Sequence, residues 1–457
     1  MPSSQEVDEP TSDCPFLSVV IPTFHDSQCL ALTLDSLTRQ RLDAGLFEVI
    51  VVGDGGAVDD QVVKAIAARG FRYLGLPEHV GRAAARNQGV AAAHGRVVVF
   101  LDSDSFADPD LLARHYEFHR TAETPQVLIG KRWEIDWPVL DRILRAGAMD
   151  LATLPAESAD MRFPEPTPPE RIAELMQTPW LFAYTNNVSV PRDVVVSAGM
   201  FDEAFGTRWG FEDLELFYRV YLELGRRSAA FRYDDLATCY HLPHYRPNIG
   251  MFQDYYANMA VAKQKYPCYE WEFTGLVQPA QAADRIRRYR ASFAATGRDP
   301  AWRAARAWRR SGLDDLAADI DRSAPPHPSP RILVIGLGTE ELDLSDHAET
   351  FDLGRPGSPT NSHLLGFATS YPDRAFDTVV NVNLWRWLGV HDLSRYLGES
   401  LRIAGTSVLV HSSDARLPAD VPGVDDVEYV VRMLSQHLDT SVEYRGLDCV
   451  ITVRAAA

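Results

Sequence analysis

The chain has 457 residues, 46% of them hydrophobic and 24% charged, which is typical of a globular protein too long for one ordinary core. Its net charge of −18 argues against binding to nucleic acid or to an anionic membrane surface, because both need a basic field. No apolar run approaches the roughly 18 residues of a membrane span. Residues 1–14 are acidic and polar, so they predict a disordered tail rather than a signal peptide. The five cysteines are scattered, and we expect reduced thiols in a cytoplasmic protein.

Strands alternate with amphipathic helices in the first part of the chain. The predicted strands are 16–23, 47–52, 71–74 and 97–101, and the helices between them are 30–42, 62–69 and 81–94. This alternation is typical of a parallel sheet with helices on both faces. Ligands of such sheets bind beyond the carboxyl ends of the strands. We therefore expect the functional residues just after these strands.

The fourth strand ends in two carboxylates, Asp102 and Asp104, on either side of Ser103. Two carboxylates one residue apart repel each other unless a cation or a donor-rich ligand lies between them. A hard divalent ion that also holds a diphosphate would satisfy both. An isolated Asp-x-Asp is otherwise an ordinary turn that ends a strand, and the rest of the chain must decide between the two interpretations.

Four segments in a fixed order resemble a known family. They are 18–24, 51–55, 81–89 and 100–104. Together they resemble the nucleotide-binding half of family 2 glycosyltransferases, which have the GT-A fold, and the resemblance covers residues 16–110 strongly and 183–250 well. It implies an α/β domain with a mostly parallel sheet that binds a nucleotide sugar. The chain departs from the family at Gly53-Asp54, where two acids are usual, and at His25, where Asn is favoured.

The resemblance places Asp102 on the ribose side of the donor and Asp104 on the metal. Asp54 could accept the imide N–H of uracil or the donors of guanine while Phe24 covers the ring; alternatively it is a turn aspartate. Arg86 could face the nucleotide as a fixed cation, or lie on a solvated helix face, as we expect for Arg82. The complete set of predicted donor-binding residues is Pro22, Phe24, Asp54, Arg86, Asp102, Ser103, Asn187, Trp209 and Gly210.

Residues 136–180 form a proline-rich insertion, in which acceptor specificity or a lid is expected. Further on, Trp209-Gly210-Phe211-Glu212-Asp213 resembles the W-G-x-E-D segment of chondroitin-type polymerases and galactosyltransferase domains. A carboxylate at a helix N-terminus is stabilised in its ionised form by the helix dipole. Asp213 is therefore the predicted catalytic base, with Glu212 as the second catalytic candidate. The alternative is that Asp213 only caps the helix.

A histidine pair follows the Glu-Asp pair. His241 lies 28 positions beyond Asp213 (241 − 213), and in galactosyltransferase-like relatives a histidine so placed supplies the remaining protein ligand of the metal. Imidazole among oxygen ligands suits Mn²⁺ better than Ca²⁺. The predicted ligands of Mn²⁺ or Mg²⁺ are thus Asp104, His241 and Asp102, with His244 as second choice to His241.

The predicted GT-A domain covers residues 15–268. Residues 269–330 are predicted to form a helical segment that braces this domain, followed by a proline-rich linker. Residues 331–457 resemble a class I S-adenosylmethionine-dependent methyltransferase, a smaller Rossmann-like α/β domain. Its glycine-rich loop is interrupted by Glu340-Glu341, so we expect a degenerate domain used for docking or for homo-oligomer formation.

These patterns predict a cytoplasmic, metal-dependent, inverting glycosyltransferase that uses a nucleotide-diphosphate sugar, with a UDP-sugar favoured. The acceptor is left open among a glycan, a peptide and a small metabolite. The alternatives are a non-catalytic nucleotide-binding scaffold and a sugar-nucleotide nucleotidyltransferase. The latter would need a basic, glycine-rich loop after its first strand, and residues 22–25 do not form one.

Overall fold

The structure, a computed structural model, describes residues 14–24, 27–55, 60–146, 160–163, 167–244, 248–311, 331–342 and 348–455. Three sequence predictions fall wholly or largely outside these residues. They are the disordered tail, the departure at His25 and the linker 323–330. Within the proline-rich insertion 136–180, residues 147–159 and 164–166 also lie outside them. The chain divides into two compact units. The first is Met1–Met259 with Gln278–Ala283, and the second is Ala260–Val277 with Asp284–Ala457.

The first unit contains an eight-stranded sheet. Its strands are β1 (Leu17–Thr23), β2 (Phe47–Gly53), β3 (Arg72–Gly75), β4 (Val97–Leu101), β5 (Ser105–Ala107), β6 (Val127–Glu134), β7 (Asn187–Pro191) and β8 (Phe231–His241). Their order across the sheet is β3-β2-β1-β4-β7-β6-β8-β5. Strands β1 to β4 are parallel, as are β6 and β8, whereas β7 and β5 run antiparallel to their neighbours. The predicted mostly parallel sheet is confirmed.

The structure contains the three helices that the apolar spacing predicts between the first four strands, together with further helices. Those that start in the first unit are α1 (Ser27–Leu37), α2 (Asp60–Ala68), α3 (Arg82–Ala92), α4 (Leu111–Thr121), α5 (Trp137–Ala146), α6 (Pro169–Leu175), α7 (Arg192–Ser197), α8 (Glu212–Glu223), α9 (Asn248–Lys265) and α11 (Pro279–Thr296). Every residue of β4 is buried, because its run of β-branched and aromatic side chains lies at the centre of the sheet. Leu30, Leu34 and Leu37 of α1 pack in the same core, as their helical spacing predicts.

Strand β6 is longer than its sequence indicates. An apolar stretch ends at Gly130, but the strand continues to Glu134 beside β8, with a shift of register between Gly130 and Lys131. The added residues include Lys131 and Arg132, whose charged side chains interrupt the apolar pattern by which a strand is recognised in a sequence. The bulge re-aims the end of the strand. As a result, Glu134 lies opposite His241 in the register of the two strands.

The second unit is a seven-stranded sheet with its own helices. Its strands are β9 (Ile332–Ile335), β10 (Ala348–Phe351), β11 (Asn361–Ser362), β12 (Thr378–Val382), β13 (Thr406–Ser412), β14 (Leu438–Arg445) and β15 (Asp448–Ala455), in the order β11-β10-β9-β12-β13-β15-β14. Its remaining helices are α10 (Tyr269–Phe273), α12 (Ala304–Ser311), α13 (Val390–Ile403) and α14 (Val427–Leu434). Helix α12 packs Ala304, Ala307 and Trp308 against β9, β12 and β13. Among the residues with described positions, no helix is long and apolar enough to cross a membrane.

Candidate active site

Arg86 is a buried cation at the centre of the candidate site. It lies on α3, where its Nη2 donates to Asp102 Oδ1 at 2.8 Å and its Nη1 donates to Glu212 Oε1 at 3.1 Å. Burial would lower the pKa of this guanidinium, but Asp102 and Glu212 raise it above its ordinary value, so Arg86 stays charged. Its burial excludes the solvated helix face. The structure thus joins one predicted residue each from α3, the end of β4 and the start of α8.

Asp213 is half-buried in the first turn of α8. Burial and the adjacent Glu212 carboxylate raise its pKa to about 7, and the Arg86 cation opposes this shift only in part. Its Oδ1 accepts a hydrogen bond from the N–H of the next residue, Leu214, at 2.8 Å. The N-cap of α8 is Phe211 and the helix begins at Glu212, so Asp213 does not have the position of an N-cap. A carboxylate with this pKa can take up a proton near neutral pH.

The backbone before the two acids is strained. Gly210 has φ +93° and Phe211 has φ +76°, a left-handed conformation that is rare for an aromatic residue and costs about 1–3 kcal/mol. Helix α9 holds this turn in place. Its Asn258 donates from Nδ2 to the Gly210 carbonyl at 2.8 Å, and its Tyr255 ring packs 4.8 Å from Phe211 and 5.7 Å from Trp209. The turn therefore presents Glu212 and Asp213 in one fixed direction.

Asp104, His241 and His244 form a group with the composition of a metal site. One ligand atom from each lies within 4.8 Å of the others, which holds for this group alone among the described residues. Asp104 is buried, and its Oδ1 has no hydrogen-bond partner. Burial would raise the pKa of Asp104, but the two imidazoles beside it hold that pKa well below its usual range. Asp102, predicted as a further ligand, is not in the group, because its carboxylate pairs with Arg86.

Asp54 and Phe24 meet through His79, a residue that the sequence did not single out. The Asp54 carboxylate accepts from the backbone N–H of Val80 at 2.8 Å and of Gly81 at 3.1 Å, and it lies 3.0 Å from His79 Nδ1. The Phe24 ring stacks on the His79 ring with centroids 3.9 Å apart. The structure thus uses Asp54 to shape the loop that starts α3. Phe24, with 43% of its surface exposed, keeps an accessible aromatic edge.

Pro22 and Ser103 lie where the sequence places them, at strand ends. Pro22 is half-buried in β1 and pairs in register with Val52 of β2. Ser103 is half-buried after β4, and its carbonyl accepts a hydrogen bond from the Thr33 hydroxyl at 2.8 Å. That bond ties the loop between the two aspartates to α1.

Asn187 does not reach the site. Its Nδ2 donates to the carbonyls of Lys131 and Ala237, each at 2.9 Å, and its Oδ1 lies 3.0 Å from His115 Nε2. His115 in turn lies 2.7 Å from the Ser189 hydroxyl. These buried contacts tie β6, β7 and β8 together. The prediction that Asn187 binds the donor is therefore corrected to a structural role, because both ends of its amide are already used inside the sheet.

The structure adds residues that no local signal identified. His79, Glu134 and Asn258 touch the candidate residues, yet they are brought there by a loop, by the bulged β6 and by α9. A histidine before a helix, an acid at a strand end and an amide within a helix are ordinary features of a sequence. Only the tertiary fold places them.

Comparison with known proteins decides the family. Residues 18–163 match the sequence model of the family described as "Glycosyl transferase family 2". Validoxylamine A glucosyltransferase from Streptomyces hygroscopicus subsp. limoneus is 30% identical over 402 residues, covering 81% of this chain and 84% of that protein. The chain belongs to glycosyl transferase family 2. The predicted resemblance is confirmed at this level, and the protein is a nucleotide-sugar glycosyltransferase.

Other similarities to this glycosyltransferase are partial. Chondroitin synthase from Escherichia coli is 29% identical over 243 residues, which cover 49% of this chain and 34% of that protein. The crystal structure of S. aureus TarS 1-349 has 17% sequence identity and a TM-score of 0.41, covering 67% of this chain and 80% of that chain. This structural likeness is too low to support an argument, and the family assignment rests on the sequence matches.

Proposed function

We propose that this glycosyltransferase transfers a sugar from a UDP-sugar to an acceptor hydroxyl in one inverting, divalent-metal-dependent displacement. The observation that carries the proposal is the convergence of Asp104, His241 and His244 beside the end of β4, where Asp102 also pairs with Arg86 of α3. The other supports are the family and the pKa of Asp213.

The three converging residues suit a divalent metal. They offer one carboxylate and two imidazoles, a mixed oxygen and nitrogen set that favours Mn²⁺ or a similar ion over Ca²⁺. The buried, unpartnered Oδ1 of Asp104 is a costly feature unless a cation or donor satisfies it. A bound divalent ion would supply Lewis-acid stabilisation of the departing diphosphate. Asp104, His241 and His244 would hold it.

Asp213 is the proposed base. As the acceptor oxygen attacks the anomeric carbon, the bond from that carbon to the diphosphate oxygen breaks, and the diphosphate leaves with the electron pair. The acceptor's proton moves to the Asp213 carboxylate. Glu212 keeps the pKa of Asp213 high, whereas Arg86 limits that rise and pairs with Asp102. The turn at Gly210 and Phe211, held by α9, would keep this carboxylate in one orientation toward the acceptor.

UDP-glucose is the first donor to test. The relatives at 30% identity are named as glucosyltransferases, and Phe24 with His79 offers an aromatic surface on which a pyrimidine ring can stack. Because Asp54 already accepts two backbone N–H groups, its proposed role is to place His79 and the start of α3. The insertion at 136–180 remains the proposed acceptor-binding region. Validoxylamine A belongs in the panel of acceptors to test, because the names of those two relatives include it.

For the second unit we propose a methyltransferase-like fold that does not bind S-adenosylmethionine. Its five parallel strands lie in the order β11-β10-β9-β12-β13, which is 3-2-1-4-5 when they are numbered along the chain. Doubly wound nucleotide-binding sheets have this order, which supports the proposed fold. The carboxylate of Asp352, which follows β10, accepts from Thr339 N–H at 2.7 Å and from its hydroxyl at 2.8 Å, so it is already occupied. The segment at Ala304 covers Gly336, since a Cβ there would lie 2.9 Å from Ala304 Cβ.

The decisive experiment is a transfer assay with UDP-glucose and the acceptor panel, with Mn²⁺ and with EDTA. We expect UDP release and an inverted anomeric centre in the product, seen by NMR, only when the metal is present. Transfer that is equally fast in EDTA would contradict the metal-dependent mechanism. A retained anomeric configuration would contradict the single displacement.

A further inference from the structure

We propose that Glu134 is a positioning residue: it binds Nδ1 of His241 and thereby reserves Nε2 of that imidazole for the metal. This inference rests on the metal site of the proposed function and deepens it. It assigns the ligand atom of each histidine, and it gives a role to a side chain that the sequence did not single out.

Strand geometry places the three side chains in a row. His241 ends β8, which lies between β5 and β6 in the sheet. In register, His241 faces Ser105 of β5, the residue after Asp104, on one side and Glu134 of β6 on the other. The imidazole is therefore flanked by one acid on each side. This arrangement depends on the bulge in β6, which shifts the register of the strand before Glu134.

The two nitrogens of His241 face different acids. Nδ1 lies 3.0 Å from Glu134 Oε2, and Nε2 lies 3.3 Å from Asp104 Oδ2. A ring N–H on Nδ1 that donates to Glu134 fixes the tautomer, so the lone pair lies on Nε2. Metal-bound histidines almost always donate their other N–H to a carboxylate, a carbonyl or water in this way. Nε2 then points toward the Asp104 carboxylate, whose Oδ1 has no partner.

His244 approaches the same carboxylate by its other nitrogen. Its Nδ1 lies 3.0 Å from Asp104 Oδ2, and Pro243 stands between the two histidines in the chain. The proposed ligand atoms are thus His241 Nε2, His244 Nδ1 and the carboxylate of Asp104. In this proposal both His241 and His244 bind the metal, and Glu134 positions His241.

Glu134 is itself held in place, and this gives an alternative to test. Its Oε1 lies 2.6 Å from Arg132 Nε, so Glu134 could serve only to balance that buried cation. The first unit contains a matching arrangement, in which Glu48 lies 2.6 Å from Arg72 and 3.4 Å from His94. Among the described residues, Glu48 and His94 belong to no group that could hold a metal ion. Glu48 is therefore the control for loss of an acid that contacts both an arginine and a histidine.

The experiment measures the Mn²⁺ affinity of the full-length protein by the electron paramagnetic resonance signal of free Mn²⁺, with and without saturating UDP. The variants are Glu134→Leu, Glu134→Asp, Glu134→Gln and the control Glu48→Leu. We expect the Kd for Mn²⁺ to rise about 10–100-fold in Glu134→Leu, the usual effect of removing such a support. Glu134→Asp keeps the negative charge beside Arg132, but its side chain is too short to reach His241 Nδ1. Its affinity for Mn²⁺ should therefore fall about tenfold.

The conservative change separates support from ligation. Glu134→Gln keeps an oxygen that accepts from Nδ1–H, so its Kd should stay within about threefold of the wild type, and Glu48→Leu should not change it. Wild-type affinity in both Glu134→Leu and Glu134→Asp would overturn the proposal and leave the metal site intact. A loss in Glu134→Gln as large as in Glu134→Leu would also overturn it. Absence of Mn²⁺ binding by the wild type would refute the metal site and the role of Glu134 together. If Glu134→Leu does not fold, Glu134→Asp and Glu134→Gln still decide.

Discussion

Replacing Asp213 by Asn removes the proposed base and leaves the shape of the side chain unchanged. The amide oxygen of Asn can still accept the hydrogen bond that Leu214 N–H donates to Asp213 at 2.8 Å, so α8 should keep its first turn. The amide cannot take up the acceptor's proton. We therefore expect kcat to fall by about 10²–10⁴-fold, the usual contribution of a general base, with an unchanged Kd for the donor.

The pKa of Asp213 sets the pH dependence of the wild type. Burial and Glu212 raise this pKa to about 7 from an ordinary value of 3.8. Because only the ionised carboxylate acts as a base, about half of the free enzyme is active at pH 7, and kcat/KM should fall about tenfold per pH unit below that. Above about pH 8 it should be constant. This acidic limb should be missing from the residual activity of Asp213→Asn.

Asp193 provides a matched control in the same unit. It also lies in the first turn of a helix, α7, and its Oδ1 accepts from the next residue's N–H, that of Val194, at 2.8 Å. Asp193→Asn should leave kcat and the pH profile of kcat/KM unchanged. The measurement is steady-state kinetics between pH 5 and 9, with donor affinity by calorimetry. Near-normal turnover of Asp213→Asn would refute the assignment of Asp213 and make Glu212 the next candidate.

Three further predictions test other parts of the structure. Glu212→Gln should move the acidic limb of kcat/KM to lower pH and Arg86→Met should move it to higher pH, because the two charges act on the pKa of Asp213 in opposite senses. Shifts of equal sign would contradict this. Burial lowers the pKa of His115 to about 4 and of His119 to about 3. Both imidazoles are therefore neutral in the folded protein, and their full contribution to the free energy of unfolding should be present above about pH 6.5. Below that pH, urea unfolding should show this free energy falling by up to about 1.4 kcal/mol per histidine per pH unit, until the pH reaches those pKa values. S-adenosylmethionine should give no thermal shift, whereas a ligand at one hundred times its Kd would stabilise by about 2.7 kcal/mol.

The sequence predicted the part of the fold that local patterns encode. The apolar runs of β1, β2 and β4 and the spacing of Leu30, Leu34 and Leu37 lie in the core as expected. The full length of β6 was not predictable, because its second half is charged and its bulge depends on pairing with β8. The seven-stranded order of the second unit likewise depends on contacts between distant segments.

The candidate site shows the same division. Arg86, Asp102, Asp104 and His241 follow from motifs, and the structure brings each into contact with another candidate. Asn187 was assigned to the site from its neighbourhood in the sequence, but its side chain is used inside the sheet. The roles of His79, Glu134 and Asn258 depend on loops and helices far away along the chain, which no local pattern records.

The most direct test of the central claim is calorimetric titration of UDP with and without Mn²⁺, in the wild type and in Asp104→Asn. Asn keeps the size of the side chain, so the fold should persist, but it removes the charge that His241 and His244 flank. The metal-dependent mechanism predicts that Mn²⁺ strengthens UDP binding at least about tenfold in the wild type and has no effect in Asp104→Asn; tenfold corresponds to about 1.4 kcal/mol. Equal Mn²⁺-dependent affinity in the two proteins would contradict it.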